Sequence, residues 1–502
     1  MVGIYTFEGG MISVIFADAA QFILILIGTL VGYTFIAGQV GWLSGIIEKS
    51  TPAFMNFVPP AGKFDYKFII AILFLGINAF CCDQGIIQRS FGSKNVKTLV
   101  VASLAACNLG MYNFISEAGQ AAHEGISIIW HEWTGNMAFA FCGLFIMPGF
   151  RRLNLTTIPE FMGLRYGKKA HSITAVMYAL KSAGKLGLGM YLIGITGATI
   201  VPQINFYWWV LIFTVVVGII LTPVNPFHFF AGLAAPLLNA NAATMDPDAI
   251  MTQLYVSSIP VGLLGVFIVG LLASQLSTVD AELNAGATVV AQDIWQRLRR
   301  SVPGAAEKLR FSRIMTVVMT ALMVLFALLA LASGRSVVEN FLSLIGIFDT
   351  PIFVVAIIYG LKGRRINEAG AVAGYLGGAL IGGITSYYCT RHHIPDYLWW
   401  TTLNAFLGAL LITPLVSRFF APPDSERVEK IRRSDKGTAE EWYSVIPRSI
   451  PGKITLGVII AGAALFFAGI IVGGMGSAQA SWMAVGGMVV YFTGCGTRLL
   501  FK

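Results

Sequence analysis

Ser258–Arg300 reads SIPVGLLGVFIVGLLASQLSTVDAELNAGATVVAQDIWQRLRR. Residues 258–290 form an apolar run longer than the ~20 residues that an α-helix needs to cross a bilayer. The run ends on Arg297, Arg299 and Arg300, as the cytoplasmic end of a transmembrane helix does under the positive-inside rule. Ser277, Thr278 and Asp280 put two hydroxyls and a carboxylate within one helical turn inside that run. Polar groups at membrane depth are costly and are functional candidates by default. The stretch therefore predicts a membrane-spanning helix with a polar site built into it.

The same pattern recurs along the chain. Apolar runs near spanning length occupy 11–38, 67–90, 97–116, 126–149, 172–200, 258–290, 314–333, 337–361, 368–388, 398–417, 452–474 and 480–499. Of the 502 residues, 56% are hydrophobic and 12% charged, against roughly 25% charged in a soluble domain. With a mean hydropathy of +0.74, the chain predicts an all-α integral membrane protein whose solvent is lipid. Its 55 glycines suit close helix packing, and Gly374–Gly383, GYLGGALIGG, shows the spacing directly. The net charge of +9 arises from loop clusters at 89–97, 151–169, 297–313, 362–365 and 418–433. These are read as cytoplasmic loops rather than as a nucleic-acid surface. Alternating the spans then puts both termini in the cytoplasm, and 239–257 and 391–396 outside.

That alternation requires 206–238 to begin and end on the outer side. The stretch is too short for two full helices, and Pro223 and Pro226 interrupt it. It predicts a short hairpin or re-entrant element buried by protein. Residues 418–450 read as a polar cytoplasmic linker. The six cysteines show no metal-ligand spacing and read as reduced, buried thiols. No cleavable signal peptide is expected. Neither HExxH nor GxSxG occurs, so an enzyme is not expected.

The ionisable residues within spans include Asp18, Asp83, Glu117, Glu132, Lys181, Lys185, Asp280, Glu282, Asp293 and Asp349. Lys181 and Lys185 lie one turn apart. They read either as halves of buried ion pairs, with Glu132, Asp83 or Asp349 as partners, or as a site for an anionic solute group.

Leu271–Arg300 resembles the signature of the sodium/solute symporter family, which transports sodium with glucose, proline or sialate. Tyr5–Gln21 (YTFEGGMISVIFADAAQ), Asp83–Asn95 (DQGIIQRSFGSKN), Ser103–Trp133 (SLAACNLGMYNFISEAGQAAHEGISIIWHEW) and Thr157–Gly167 (TIPEFMGLRYG) resemble further stretches of that family. The resemblance spans roughly residues 5–365. It implies a LeuT-type five-plus-five inverted-repeat core with extra C-terminal helices, and binding beside broken helices at the midplane.

By position, the resemblance implies sodium ligands at Ser277 and Thr278, backbone carbonyl ligands at Ala106 and Leu109, and a cation or proton carboxylate at Asp280. It implies solute contacts at Asn108, Asn113, Glu132 and Ser343. Asp18 falls on the sodium route; Asp83, Lys181, Lys185 and Asp349 complete the candidate ion path. The expected activity is sodium-coupled symport of a small organic solute, a sugar or sugar acid, by alternating access in the plasma membrane. The alternatives are proton coupling and a solute-binding membrane sensor. Expected partners are the solute and the lipid bilayer, with neither nucleic acid nor an obligate protein partner.

The order of segments departs from the family. Within a core at 1–365, residues 4–100 resemble core helices five and six, 103–218 resemble one to four, and 219–365 resemble seven to ten. Additional spans at 366–417, the linker 418–450 and a C-terminal helix pair at 451–502 follow. The order fits a natural permutation, an engineered swap of segments or a misassembled sequence. Residues 206–238 lie at one junction. Ala79, beside Asn78, stands where sugar transporters carry a closing aromatic.

Overall fold

The computed structural model describes residues 23–25, 27–83, 111–153, 155, 157–209, 234–239, 245–295, 305–436, 447 and 449–498. Among them the secondary structure is helical, as the apolar runs predict. The helices are α1 (Ile23–Val40), α2 (Trp42–Lys49), α3 (Tyr66–Cys82), α4 (Ala118–Glu124), α5 (Trp130–Phe141), α6 (Ile158–Arg165), α7 (Lys168–Ile200) and α8 (Pro247–Ser258). There follow α9 (Val261–Val289), α10 (Ala305–Ser333), α11 (Val337–Phe353), α12 (Glu368–Arg391), α13 (Tyr397–Ser417), α14 (Ser425–Lys436), α15 (Ile450–Gly474) and α16 (Ala480–Arg498).

Six helical stretches among the described residues are long and apolar enough to cross a membrane: Ile23–Val40, Lys168–Ile200, Val337–Lys362, Glu368–Arg391, Tyr397–Ser417 and Ile450–Gly474. Tyr66–Cys82, Val261–Leu272 and Val318–Ser333 are shorter apolar segments. The chain is thus a multi-pass membrane protein. The predicted hairpin falls largely on 210–233, and part of the predicted span 97–116 falls on 97–110; both lie outside the described residues.

Contacts divide the chain into two compact units. The first comprises 1–55, 84–126 and 175–344; the second comprises 56–83, 127–174 and 345–502. In the second unit, α12 packs along α13, and α15 along α16. Gly370, Gly374, Gly378 and Gly382 recur every fourth residue and so share one face of α12. That face lies against Ser417, Thr413, Ala409 and Ala405 of α13. A Cβ on Gly378 would come within 2.9 Å of the Ala405 carbonyl oxygen and the Ala409 Cβ. Without a hydrophobic drive between helices in lipid, such close approach supplies the packing contacts that hold them together. The α15–α16 pair repeats the device: Gly462 meets the Tyr491 backbone, and Gly487 meets that of Phe466.

Helix starts follow from local chemistry. Asp65 caps α3, accepting from the backbone N–H groups of Lys67 (2.9 Å) and Phe68 (3.3 Å). Asn367 caps α12 by accepting from Gly370 N–H (2.9 Å). Residues 157–167 contain α6. Thr157 caps it by accepting from Glu160 N–H (3.0 Å), and Pro159 sits in its first turn. Arg165 is buried, and its guanidinium donates to the carbonyls of Gly360 (3.1 Å) and Ile366 (3.4 Å). The linker 418–450 is also more ordered than its composition suggests. It holds α14, whose Ile431 is fully buried. Val428, one turn earlier, is half-buried on the same side. Cys81, Cys82, Cys142, Cys389 and Cys495 are buried free thiols.

Candidate functional site

Helix α9 carries Ser277, Thr278, Asp280 and Glu282, and its surroundings in the first unit define the candidate site. The Thr278 hydroxyl donates to the Ser274 carbonyl one turn earlier, at 3.3 Å. This is the ordinary habit of a threonine in a membrane helix, and a hydroxyl that donates in this way keeps its lone pairs as acceptors. The side chains of Ser277 and Asp280 lie outside the described residues, as do Asp18, Ala106, Asn108 and Leu109.

Beside α9 runs α7, at close range. Gly189 of α7 lies against the Gln275 side chain, and Gly286 of α9 lies 3.4 Å, by its would-be Cβ, from the Ser182 Cβ. The small residues bring a buried polar cluster together. Glu282 accepts from Ser182 Oγ (3.0 Å) and forms an ion pair with the Lys185 ammonium. Glu282 is thus a partner of Lys185 that the sequence reading did not name, beside the expected Glu132, Asp83 or Asp349. Glu282 lies one turn beyond Thr278 on the same helix face. The Lys185 ammonium also sits 5.7 Å from the Phe341 ring, which stacks on Tyr112 at 4.9 Å. Lys181, 1% exposed, places its ammonium 5.4 Å from the Tyr178 ring.

Asn113 opens a π-helical turn, Asn113–Glu117. Both residues are fully buried, and Asn113 Nδ2 donates to Glu117 Oε2 at 2.9 Å. π-turns widen the backbone and recur at functional sites. Ser343 on α11 donates to the Glu339 carbonyl (2.8 Å) and accepts from Arg335 Nη1 (3.3 Å).

A second polar knot joins the π-turn, α8 and the start of α11. Ser116 Oγ donates to Asp248 Oδ1 and accepts from Val338 N–H (3.2 Å). Asp248 Oδ2 accepts from Val337 N–H (2.9 Å), so a carboxylate on α8 caps α11. Ser336 and Glu339 cap the same helix reciprocally, with Ser336 N–H donating to Glu339 Oε2 at 3.0 Å, and Gln120 Nε2 donates to Ser336 Oγ at 3.0 Å. Asp248 lies on α8, outside the spanning segments. Burial pushes its carboxyl up to about 7, against the opposing pull of the Ser116 hydrogen bond. Neither Asp248 nor Ser116 stands out in the sequence. The Ser336-to-Glu339 spacing was the available signal.

In the second unit, Glu132 is half-buried in the first turn of α5. Asp83 is buried where α3 ends, and Asp349 is buried on α11. Asn78 Nδ2 donates to Thr350 Oγ1 at 2.9 Å, while Asn78 Oδ1 has no hydrogen-bond partner among the described residues.

π-turns and buried polar clusters within apolar helices are compatible with a transporter, and comparison with known proteins supplies the family. The model of the sodium:solute symporter family matches residues 1–103, 91–200 and 203–378, and the chain belongs to that family, one of transporters rather than enzymes. It is 21% identical over 408 residues to "Sodium/glucose cotransporter 4" of Danio rerio, covering 76% of this chain and 46% of that protein. It is 26% identical over 135 residues to "Sodium/sialic acid symporter SiaT" of Proteus mirabilis, covering 27% of each. The matched stretches span less than half the length of these relatives. A solved Na+-coupled sialic acid symporter in its substrate-bound outward-open state aligns with a TM-score of 0.45 and 14% identity, over 82% of this chain and 99% of that one.

Proposed function

We propose that the chain is a secondary active transporter that couples inward sodium flow to the uptake of a small organic solute by alternating access, on a LeuT-type five-plus-five core. The observation that carries this reading is the family match over most of the chain, joined to the Ser277–Thr278 pair inside α9. Sodium is a small hard cation that takes oxygen ligands. The two hydroxyls, with carbonyls of Ala106 and Leu109, supply such a set. Asp280 adds a carboxylate for a second cation or a proton. Sodium binding there favours the outward-open arrangement, and solute must then tighten sodium by the factor by which sodium tightens solute.

The solute is proposed to be a sugar or sugar acid, contacted by Asn108, Asn113, Glu132 and Ser343. The matched relatives include proteins named for glucose, myo-inositol and sialic acid. Glu282 neutralises Lys185, which favours an uncharged polyhydroxy solute over an anion at that lysine. Asp18, Asp83, Lys181, Lys185 and Asp349 are assigned to the ion path or its coupling. We place the protein in the plasma membrane with both termini cytoplasmic.

The reordered core is part of the proposal: 4–100 as core helices five and six, 103–218 as one to four, and 219–365 as seven to ten. Its support is that the family model matches in three stretches, meeting near 91–103 and 200–203, rather than in one.

The test is thermal unfolding of the purified protein in sodium, and in potassium or choline at equal ionic strength. A ligand that binds only the folded state stabilises it by about 2.7 kcal/mol at a hundredfold excess over Kd. A sodium-specific rise in Tm, abolished by Ser277→Ala with Thr278→Ala, is expected. A transition indifferent to sodium removes the sodium site and leaves proton coupling at Asp280, or a lysine ammonium as the resident cation.

A further inference from the structure

Four arginines converge on one cavity at the end of α13, within the second unit. The cavity holds about 810 Å³ and is lined by Arg364, Arg365, Arg418 and Arg432, with Pro414, Phe420 and Val428 among its apolar walls. Three pieces of chain build it: the turn between α11 and α12, the residues following α13, and α14. Asn367 locks the first two together. Its Nδ2 donates to the carbonyls of Ser417 (3.0 Å), Phe420 (3.2 Å) and Ala421 (2.8 Å). Asp424 caps α14 by accepting from Glu426 N–H (3.0 Å), and the buried Ile431 seats the helix. The arginines therefore hang on a fixed frame rather than on a free loop.

The charge of the cavity is one-sided. Arg432 is held by Glu429 through two bonds, Nε to Oε2 (2.8 Å) and Nη2 to Oε1 (3.0 Å). Among the described residues, no carboxylate pairs with Arg364, Arg365 or Arg418. Glu429 is the one acidic residue in the lining. The cavity also lies where two spans terminate, at the start of α12 and the end of α13. Phe419 and Phe420, 77% and 59% exposed, stand beside it, as aromatic side chains do at the level of lipid headgroups.

The positive-inside rule accounts for arginines in a cytoplasmic loop. It does not account for their convergence on a walled cavity, nor for a charged helix folded alongside. Guanidinium forks match phosphate oxygens, and the apolar walls match glycerol and the first methylenes of a chain. A volume of this order accommodates such a group.

We propose that this cavity binds the phosphodiester headgroup of an anionic membrane lipid, with Arg364, Arg365 and Arg418 on the phosphate and Pro414, Phe420 and Val428 against the glycerol and acyl root. Inorganic phosphate shares the head chemistry and lacks the apolar part, so the two sources separate by experiment. The full-length protein in neutral detergent is titrated with dioleoylphosphatidylglycerol, dioleoylphosphatidylcholine and inorganic phosphate, and bound lipid is counted by native mass spectrometry. Phosphatidylglycerol is expected to bind at least tenfold more tightly than phosphatidylcholine. Combined Arg364→Gln, Arg365→Gln and Arg418→Gln is expected to remove that preference. Equal binding of the two lipids, or a preference that survives the triple substitution, overturns the proposal. Displacement of phosphatidylglycerol by inorganic phosphate at equal concentration overturns the lipid assignment in favour of a soluble anion. Glu429→Gln serves where the triple variant does not fold. Removing the opposing charge is expected to tighten phosphatidylglycerol severalfold, and unchanged or weaker binding counts against the site.

Discussion

In the second unit, α12 meets α13 through Gly370, Gly374, Gly378 and Gly382. In the first, α7 meets α9 through Lys185, Ser182 and Glu282. Both contacts hold membrane helices together, by opposite means. The glycine face gains many weak dispersion contacts and tolerates no added side chain. The charged contact rests on a few groups, each of which is costly once its partner is gone. Ionisable groups at membrane depth mark function more often than scaffold. On the proposed function, the working chemistry falls on the charged contact of α7 with α9, and the glycine-packed pairs of the second unit support the fold.

The largest expected effect falls on the charged contact. Glu282→Ala removes the carboxylate paired with the largely buried Lys185 ammonium and should cost up to about 3–5 kcal/mol in thermal or denaturant unfolding. Joint Lys185→Met and Glu282→Leu should recover most of that loss while altering transport. If the double variant is as unstable as the single one, the pair is not the energetic unit described. Next, Ser277→Ala with Thr278→Ala should erase a sodium stabilisation of about 2.7 kcal/mol at a hundredfold excess over Kd. The Tm of Gly378→Leu, in contrast, should fall in sodium and choline alike. Overpacking of this kind costs about 1–3 kcal/mol. A sodium-dependent fall in Gly378→Leu would break the division of labour between the units.

The smallest effect concerns Asp248. Its carboxyl is raised from 3.8 to about 7 by burial. The folded state thus holds the proton more tightly than the unfolded chain. This contribution is fully present below about pH 4 and is lost as pH rises through about 7. Tm should decline between pH 5 and 7.5, and Asp248→Asn should flatten the decline. An unchanged slope would mean that other groups carry the dependence.

How much was legible in the sequence differs from element to element. Each span within the described residues appears as helix because apolar runs of spanning length are a property of neighbouring residues. The four-residue glycine spacing of 374–383 was visible for the same reason. The helix in 418–450 was not, because a single buried Ile431 among charges makes no periodic pattern. Lys181 and Lys185 announced themselves as misplaced charges in an apolar run. Their sequence context could not name a partner, since Glu282 lies 97 residues from Lys185.

By itself, the sequence determined that this protein lives in a membrane as a set of helices, that α9 carries hydroxyls and carboxylates, and that its family is that of the sodium:solute symporters. All three are written in local composition and short motifs. Only the tertiary structure decided that Glu282 neutralises Lys185, that Asp248 caps α11 while bonded to Ser116, and that four arginines share one cavity. The physical reason is that desolvated charges and capping groups take whichever partner the packing of distant helices brings within about 3 Å, and no periodicity in the chain encodes that meeting.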